Sequence, residues 1–253
     1  MGMFEGMIEK TTLWEAVRAA HALVTESRVF IDEKGWHIKA IDPANVAMVV
    51  VDVPSEAFHK YELKLEGEEE KEKKRMEIGI SVDKIVEILR SVGRDEDMFL
   101  AVRDTMFMKF GNFTFSMNLY DPSSIREAKE PTNINYTSQV IMDGDAFRRA
   151  MDAAKRISEY VTLSVKNAAF TVKAEREDMN MEMKLSEDEL FDFEEGDACS
   201  SFSLEYLTSM AKVFANTQVS IKLGNDVPIR MEGKIADGSV AVVYLLAPYI
   251  QSE

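Results

Sequence analysis

The sequence predicts an α+β protein made of two repeated domains, each with two helices packed on antiparallel sheets. Three observations carry that expectation: four segments with helical apolar periodicity, short segments of alternating apolar and polar residues between them, and the return of the same element order in the second half of the chain.

The helical segments run over residues 12–26, 82–92, 145–158 and 203–214. At about 100° per residue, Leu13, Val17, Ala20 and Val24 fall on one face of the first, and Val82, Val86 and Leu89 on one face of the second. Phe147, Met151 and Ala154 do the same on the third, and Leu204, Thr208 and Ala211 on the fourth. Each helix therefore has one side to bury. Alternation is clearest at Phe113, Phe115, Met117 and Leu119 and at Met179, Met181, Met183 and Leu185, which predicts half-buried antiparallel strands. Strands around 29–31 and 36–40 follow the first helix, and strands around 161–165 and 170–174 follow the third. The second and fourth helices are likewise followed by strands, beginning near Phe99 and Val219. Because helix order, strand order and spacing agree together, a duplicated domain is the economical reading.

Residues 120–135 contain Pro122, Ser123, Ser124 and Pro131 with no sustained apolar period and read as an exposed connector. The expected domains are then residues 1–119 and 136–253. Residues 66–75 are almost wholly charged and read as a solvated loop.

A chain of 253 residues can bury a substantial core. No apolar run approaches the roughly 18 residues of a transmembrane helix and no signal peptide is visible, so a cytosolic protein without membrane contact is expected. The single cysteine, Cys199, excludes an intrachain disulfide and a multi-thiolate metal site, and is expected to be a small buried side chain.

Forty-five acidic residues against 30 basic ones give a net charge of −15, which at first argues against a nucleic-acid partner. The distribution of sign matters more than the sum. On the sides of the helices opposite their apolar stripes stand Arg18 and His21, then Lys84 and Arg90, then Arg148, Arg149, Lys155 and Arg156, then Lys212. Cations spread over several elements suit sequence-independent holding of duplex DNA, because phosphate contacts position a duplex without reading its bases. Taken singly, each is ordinary solvated charge, and Glu15, Glu87, Asp152 and Glu205 share the same faces. They become a DNA-facing set only if the four helices line one cavity.

Nothing in the sequence assembles an enzyme. The three histidines, His21, His37 and His59, are scattered, and no phosphate-binding glycine loop, nucleophile elbow or metal-spaced histidine pair occurs. Asp42 and Asp52 fall in strand-turn contexts where capping or solvent exposure is the usual role of a carboxylate.

Met3-Phe4-Glu5-Gly6, Ile41-Asp42-Pro43-Ala44-Asn45-Val46, Leu223-Gly224-Asn225-Asp226-Val227-Pro228-Ile229, Gly233-Lys234-Ile235-Ala236-Asp237-Gly238 and Leu245-Leu246-Ala247-Pro248-Tyr249-Ile250 follow one another in an order that resembles the proliferating cell nuclear antigen family along nearly the whole chain. The first matches the family's opening, which makes Met1 and Gly2 a short extension; the second matches its Met-Asp-Pro-Ser-Arg/His-Val loop.

The resemblance implies a non-catalytic DNA sliding clamp and polymerase processivity factor. It implies two domains of like topology per subunit, three subunits closed head to tail, helices lining the hole and sheets outside. The strand with Phe113, Phe115 and Met117 would pair with the strand carrying Met179, Met181 and Met183 of the next subunit. A hydrophobic pocket beneath the connector would take short peptide motifs from DNA polymerase, clamp loader, flap endonuclease and DNA ligase. The matching positions are Ile41, Val46, Leu119, Tyr120, Pro228, Leu245, Leu246, Ala247, Pro248 and Ile250. No cofactor or metal is implied, since ATP is spent by the loader. Association with chromosomal DNA follows, in the nucleus if the source is eukaryotic, and an ending without a long acidic tail looks archaeal. The alternative is a subunit of a specialised heteromeric clamp for damage signalling or repair that forms no ring alone. Trp14, Glu15 and Glu87 stand where the family often has lysines, so more of the DNA contact would fall to the third helix; Tyr249 replaces a common Arg or Lys.

Overall fold

The computed structural model describes residues 2–66, 68, 72, 74–93 and 97–250. Within the charged 66–75 stretch, residues 67, 69–71 and 73 lie outside the described residues, so the loop reading there has no structural counterpart.

The first half of the chain runs β1 (Met3–Glu9), α1 (Lys10–His21), β2 (Glu26–Asp32), β3 (Gly35–Ile41), β4 (Ala47–Pro54), β5 (Phe58–Lys64), β6 (Met76–Ser81), α2 (Val82–Arg90), β7 (Asp97–Val102), β8 (Thr105–Phe110) and β9 (Phe113–Asn118). The second half repeats that order: β10 (Ser138–Asp143), α3 (Gly144–Ala154), β11 (Tyr160–Val165), β12 (Ala169–Arg176), β13 (Met179–Ser186), β14 (Asp192–Glu194), β15 (Ala198–Ser203), α4 (Leu204–Ala211), β16 (Gln218–Leu223), β17 (Ile229–Ile235) and β18 (Val240–Leu246). The predicted duplication is thus present element for element. Pairing repeats as well: β5-β1-β7-β8 has its equivalent in β14-β10-β16-β17, and β3-β2-β6 in β12-β11-β15.

Packing divides the chain into two compact units, Met1–Pro43 with Val49–Ala128 and Ile235–Val242, and Ala44–Met48 with Lys129–Lys234 and Val243–Glu253. In the first unit α1 packs on α2, and the predicted stripe residues Leu13, Val17, Ala20, Val82, Val86 and Leu89 are all buried. Beneath β1 an edge-to-face aromatic cluster forms, with Phe4 centred 5.0 Å from Trp36 and 4.9 Å from Tyr61. In the second unit α3 packs on α4, burying Phe147, Met151, Ala154, Leu204, Thr208 and Ala211 as expected.

The helices end earlier than the apolar pattern predicts. After His21 the N–H groups of Leu23 and Val24 turn back to the Ala20 carbonyl, and Glu26 already pairs with Ser81 as the first residue of β2. Lys155 caps α3 and Lys212 caps α4, so Arg156 lies beyond its helix. The cause is common to all three: Val24, Val213 and Phe214 are buried just past a helix end, and Ile157 just past α3 is half-buried. An apolar residue two or three positions beyond a helix continues its stripe without continuing its hydrogen bonds.

Three further expectations change. Cys199 is exposed, because β15 turns Ala198, Ser200 and Phe202 inward and leaves the alternate position outside. The connector is exposed over most of its length, yet Ile125 and Ala128 are buried in the first unit. The strands expected to be half-buried, β9 and β13, are more open than that, since each ends its sheet: β9 closes the order β5-β1-β7-β8-β9, and β13 opens the order β13-β12-β11-β15.

Candidate nucleic-acid and partner-binding surfaces

In the first unit the buried stripes of α1 and α2 turn Arg18, His21, Lys84 and Arg90 away from the core. These cations are held. Arg18 pairs with Glu15 of the preceding turn, and His21 Nε2 lies 2.8 Å from Asp83 Oδ1, tying the end of α1 to the start of α2. The Arg90 guanidinium sits 5.9 Å from the Trp14 ring centre and Lys84 Nζ 6.0 Å from that of Tyr120, the outer limit of a cation–π contact.

In the second unit Asp143 opens α3 by accepting from the Ala146 N–H at 2.7 Å. Asp145 in the first turn then accepts from Arg148 Nε at 2.8 Å and from Arg149 Nη1 at 2.5 Å, while Arg148 Nη1 donates to Asp152 at 3.0 Å. Spacings of three and four residues put these groups on one face. Lys155 Nζ donates to Thr208 Oγ1 of α4 at 3.3 Å. Arg156 is exposed, with no ion pair among the described residues, and Lys212 is exposed at the end of α4. The sequence-predicted cations therefore gather on the paired helices of each unit and just past their ends, several of them already balanced by a carboxylate of the same helix.

Arg149, Asp152, Ala153, Arg156 and Ile157 face Met179 and Met181 across a cleft of about 430 Å³ between α3 and the open edge of β13. Met179 is 48% exposed there, with Met181 and Met183 half-buried. On the other open edge Phe113 is 63% exposed, Phe115 half-buried and Met117 buried. Phe110 stacks on Phe113 and Phe115 at 5.9 and 5.5 Å between ring centres, making a continuous aromatic strip along β8 and β9.

A second apolar surface surrounds the tail of the second unit. The Ala247 N–H donates to the Val46 carbonyl at 2.8 Å and the Tyr249 N–H to the Ser201 carbonyl at 2.7 Å, so the tail runs along β15, the far edge of its sheet. Ser200 Oγ accepts from Asp226 N–H at 2.9 Å and anchors the loop that leads to Pro228, a half-buried residue. Leu245 and Leu246 are buried, Ala247 and Pro248 half-buried, and Ile250 is 64% exposed. Tyr160 stacks on Tyr249 with ring centres 3.7 Å apart. Val46, Tyr160, Tyr249 and Ile250 make up half of the eight large hydrophobic side chains exposed among the described residues, and such a concentration marks an interaction surface. The remaining pocket positions, Ile41, Leu119 and Tyr120, are half-buried in the first unit.

The histidines are each engaged by carboxylates. Beyond the His21 pair, His37 Nδ1 lies 2.7 Å from Asp52 and its Nε2 3.2 Å from Asp32, and His59 Nε2 lies 3.3 Å from Asp97. The bond to Asp52, and then those to Asp32, raise the His37 pKa against the opposing effect of burial.

Comparison with known proteins identifies the family of the chain. The family model described as "Proliferating cell nuclear antigen, N-terminal domain" matches residues 3–118. The chain is 34% identical to a DNA polymerase sliding clamp of Archaeoglobus fulgidus over 254 residues, covering 99% of this chain and 100% of the relative. The chain belongs to the proliferating cell nuclear antigen family. A sliding clamp of Methanosarcina barkeri is 32% identical, again over 99% of this chain and 100% of its own. The solved proliferating cell nuclear antigen of A. fulgidus, bound to the C-terminal region of FEN-1, superposes with a TM-score of 0.90 at 33% identity, covering 99% of this chain and 100% of that one. Three residues of this family member escaped sequence reasoning. Tyr160 joins the tail surface by stacking, and Arg28 and Gly79 engage the connector across long sequence separations; only Tyr160, an aromatic opening a strand, carries any local signal.

Proposed function

We propose that the chain is a subunit of a DNA sliding clamp: three copies close head to tail around duplex DNA and hold replication and repair enzymes there through short peptide motifs. The observation that carries this reading is the pair of open sheet edges. β9 and β13 belong to sheets of different units, and each leaves a large apolar side chain exposed, Phe113 on one and Met179 on the other. Exposed edges invite uncontrolled pairing unless a partner strand covers them. Two different edges on one subunit make a heterologous contact, which closes into a ring when the rotation permits. The cleft beside Met179 offers room for an aromatic side chain from the neighbouring β9.

Arg18, His21, Lys84, Arg90, Arg148, Arg149, Lys155, Arg156 and Lys212 would supply weak phosphate contacts along the helices. The exposed surface at Val46, Tyr249 and Ile250 would receive the aromatic anchors of partner peptides; the protein described as bound to the A. fulgidus relative is the C-terminal region of FEN-1, which supports that assignment. The chain would act without turnover, as a processivity factor of the kind its sliding-clamp relatives are named for. Light scattering tests the assembly: a trimeric mass is expected, and Phe113→Asp should yield monomers that no longer lengthen the products of a partner polymerase. A wild-type monomer would refute self-closure and favour a heteromeric clamp.

A further inference from the structure

The first segment of the connector is fastened to the first unit by a latch. Strand register puts Arg28 of β2 directly across from Gly79 of β6, on the face where the connector lies. The Tyr120 N–H donates to the Gly79 carbonyl at 2.9 Å and forms an isolated bridge with it. A Cβ at position 79 would meet the Tyr120 backbone carbonyl oxygen at 2.8 Å, a distance no side chain tolerates against backbone, and the Ile125 side chain at Cδ1 at 2.9 Å. The missing side chain is what lets the segment lie flat. Beyond it, Asp121 accepts from the Ser123 N–H at 2.8 Å and the Ile125 N–H returns to the Pro122 carbonyl at 3.1 Å, closing a tight turn. Arg28 Nε then donates to the Ile125 carbonyl at 2.5 Å, while its Nη1 binds Glu77 at 3.1 Å. Ile125 is buried beneath this pair, and the Arg28 and Glu77 side chains are only 16% and 22% exposed. A guanidinium so enclosed, bridging a carbonyl and a carboxylate, holds its geometry far better than a surface ion pair.

We propose that Arg28, acting through the Ile125 carbonyl, and Gly79, acting through the space it leaves, are positioning residues for partner binding: they fix Leu119 and Tyr120 in the conformation an incoming peptide meets. This rests on the proposed partner-binding role of the connector's start. A preformed surface avoids the cost of ordering a loop during association, so releasing the latch lowers affinity without removing any residue that touches the peptide.

The test compares wild type, Arg28→Ala, Arg28→Lys and Gly79→Ala as full chains, with mass by light scattering and thermal melting as controls for folding. Two quantities are read: amide hydrogen exchange at Tyr120 and Ile125, and the affinity for the C-terminal region of A. fulgidus FEN-1. Arg28→Ala and Gly79→Ala should speed exchange at both amides and weaken the peptide about tenfold, with trimer mass unchanged, and Arg28→Lys should recover part of the loss. Unaltered exchange in Arg28→Ala would overturn the latch. Faster exchange with wild-type affinity would overturn its role in positioning while leaving the partner site standing. Failure of the wild type itself to bind would overturn the partner-binding reading and this inference with it.

Discussion

Asp145 offers a direct test of whether the helix cations meet DNA as proposed. It accepts from Arg148 Nε at 2.8 Å and Arg149 Nη1 at 2.5 Å, so one carboxylate occupies two guanidinium groups on the face expected to meet phosphate. Replacing it by Asn keeps the shape and removes the charge. For a B-form duplex, each phosphate neutralised contributes about 0.9 to the slope of log affinity against log salt. Arg148 keeps its bond to Asp152, so Arg149 is the arginine released to phosphate, and the slope steepens by roughly 0.9, which over a fourfold rise in salt multiplies the loss of affinity by about 3.5. The assay is fluorescence anisotropy of a short linear duplex titrated with the trimer at increasing salt, where ring closure cannot retain the DNA and only local contact is read. Asp145→Asn should bind more tightly at low salt and show the steeper slope; adding Arg149→Ala should abolish the increment. A slope equal to wild type in Asp145→Asn would refute the placement of Arg149 on the DNA face.

Other perturbations address the tail, the core and pH. Ile250→Asp and Pro248→Asp should abolish binding of a FEN-1 C-terminal peptide while leaving trimer mass intact, measured by titration and light scattering, because Ile250 is 64% exposed and contributes nothing to the core. Lys10 is buried, with Nζ donating to the carbonyls of Val92 at 2.7 Å and Gly93 at 2.8 Å. Lys10→Met strands both acceptors and should cost about 1–3 kcal/mol, read as a fall in melting temperature of about 2–4 °C per kcal/mol for a chain of this size; an unchanged melting point would show those carbonyls satisfied by water. The His37 pKa is raised by its bonds to Asp52 and Asp32. Its contribution is therefore complete below the ordinary histidine pKa and is lost as pH rises through the raised value. The melting-temperature advantage of wild type over His37→Gln should shrink as pH rises above the ordinary histidine value of about 6.5; an advantage that grows with pH would contradict the assigned partners.

What the sequence disclosed and what it hid divide along the range of the interactions. The stripes through Leu13 and Val17 or Phe147 and Met151 are legible because burial on a helix recurs every three to four residues, and the duplicated order follows from four such stripes. Helix ends were not legible, since Val24 and Phe214 stay buried after the helical hydrogen bonds have stopped. Which side of β15 Cys199 faces is fixed by the register with β11, where it stands opposite Ser164, and composition alone cannot supply a register. Neutralisation of Arg148 and Arg149 was within reach, because Asp145 stands three and four residues before them. The Arg28–Ile125 bond spans 97 positions and leaves no local trace.

That neutralisation bears on how a clamp of this kind works. With a net charge of −15 and with Arg18, Arg148 and Arg149 already paired to Glu15, Asp145 and Asp152, a phosphate contact through any of these three must displace a carboxylate before it gains anything. Local affinity is then low and easily exchanged from one phosphate to the next. A protein held to DNA by such contacts alone would dissociate quickly. In a closed ring, weak contact instead permits movement along the duplex, while escape requires parting an interface such as the one proposed between the β9 and β13 edges. Residence and mobility thereby depend on different parts of the molecule: Asp145→Asn should slow sliding without altering the lifetime of the closed ring, and Phe113→Asp should abolish that lifetime without altering the charge of the helices.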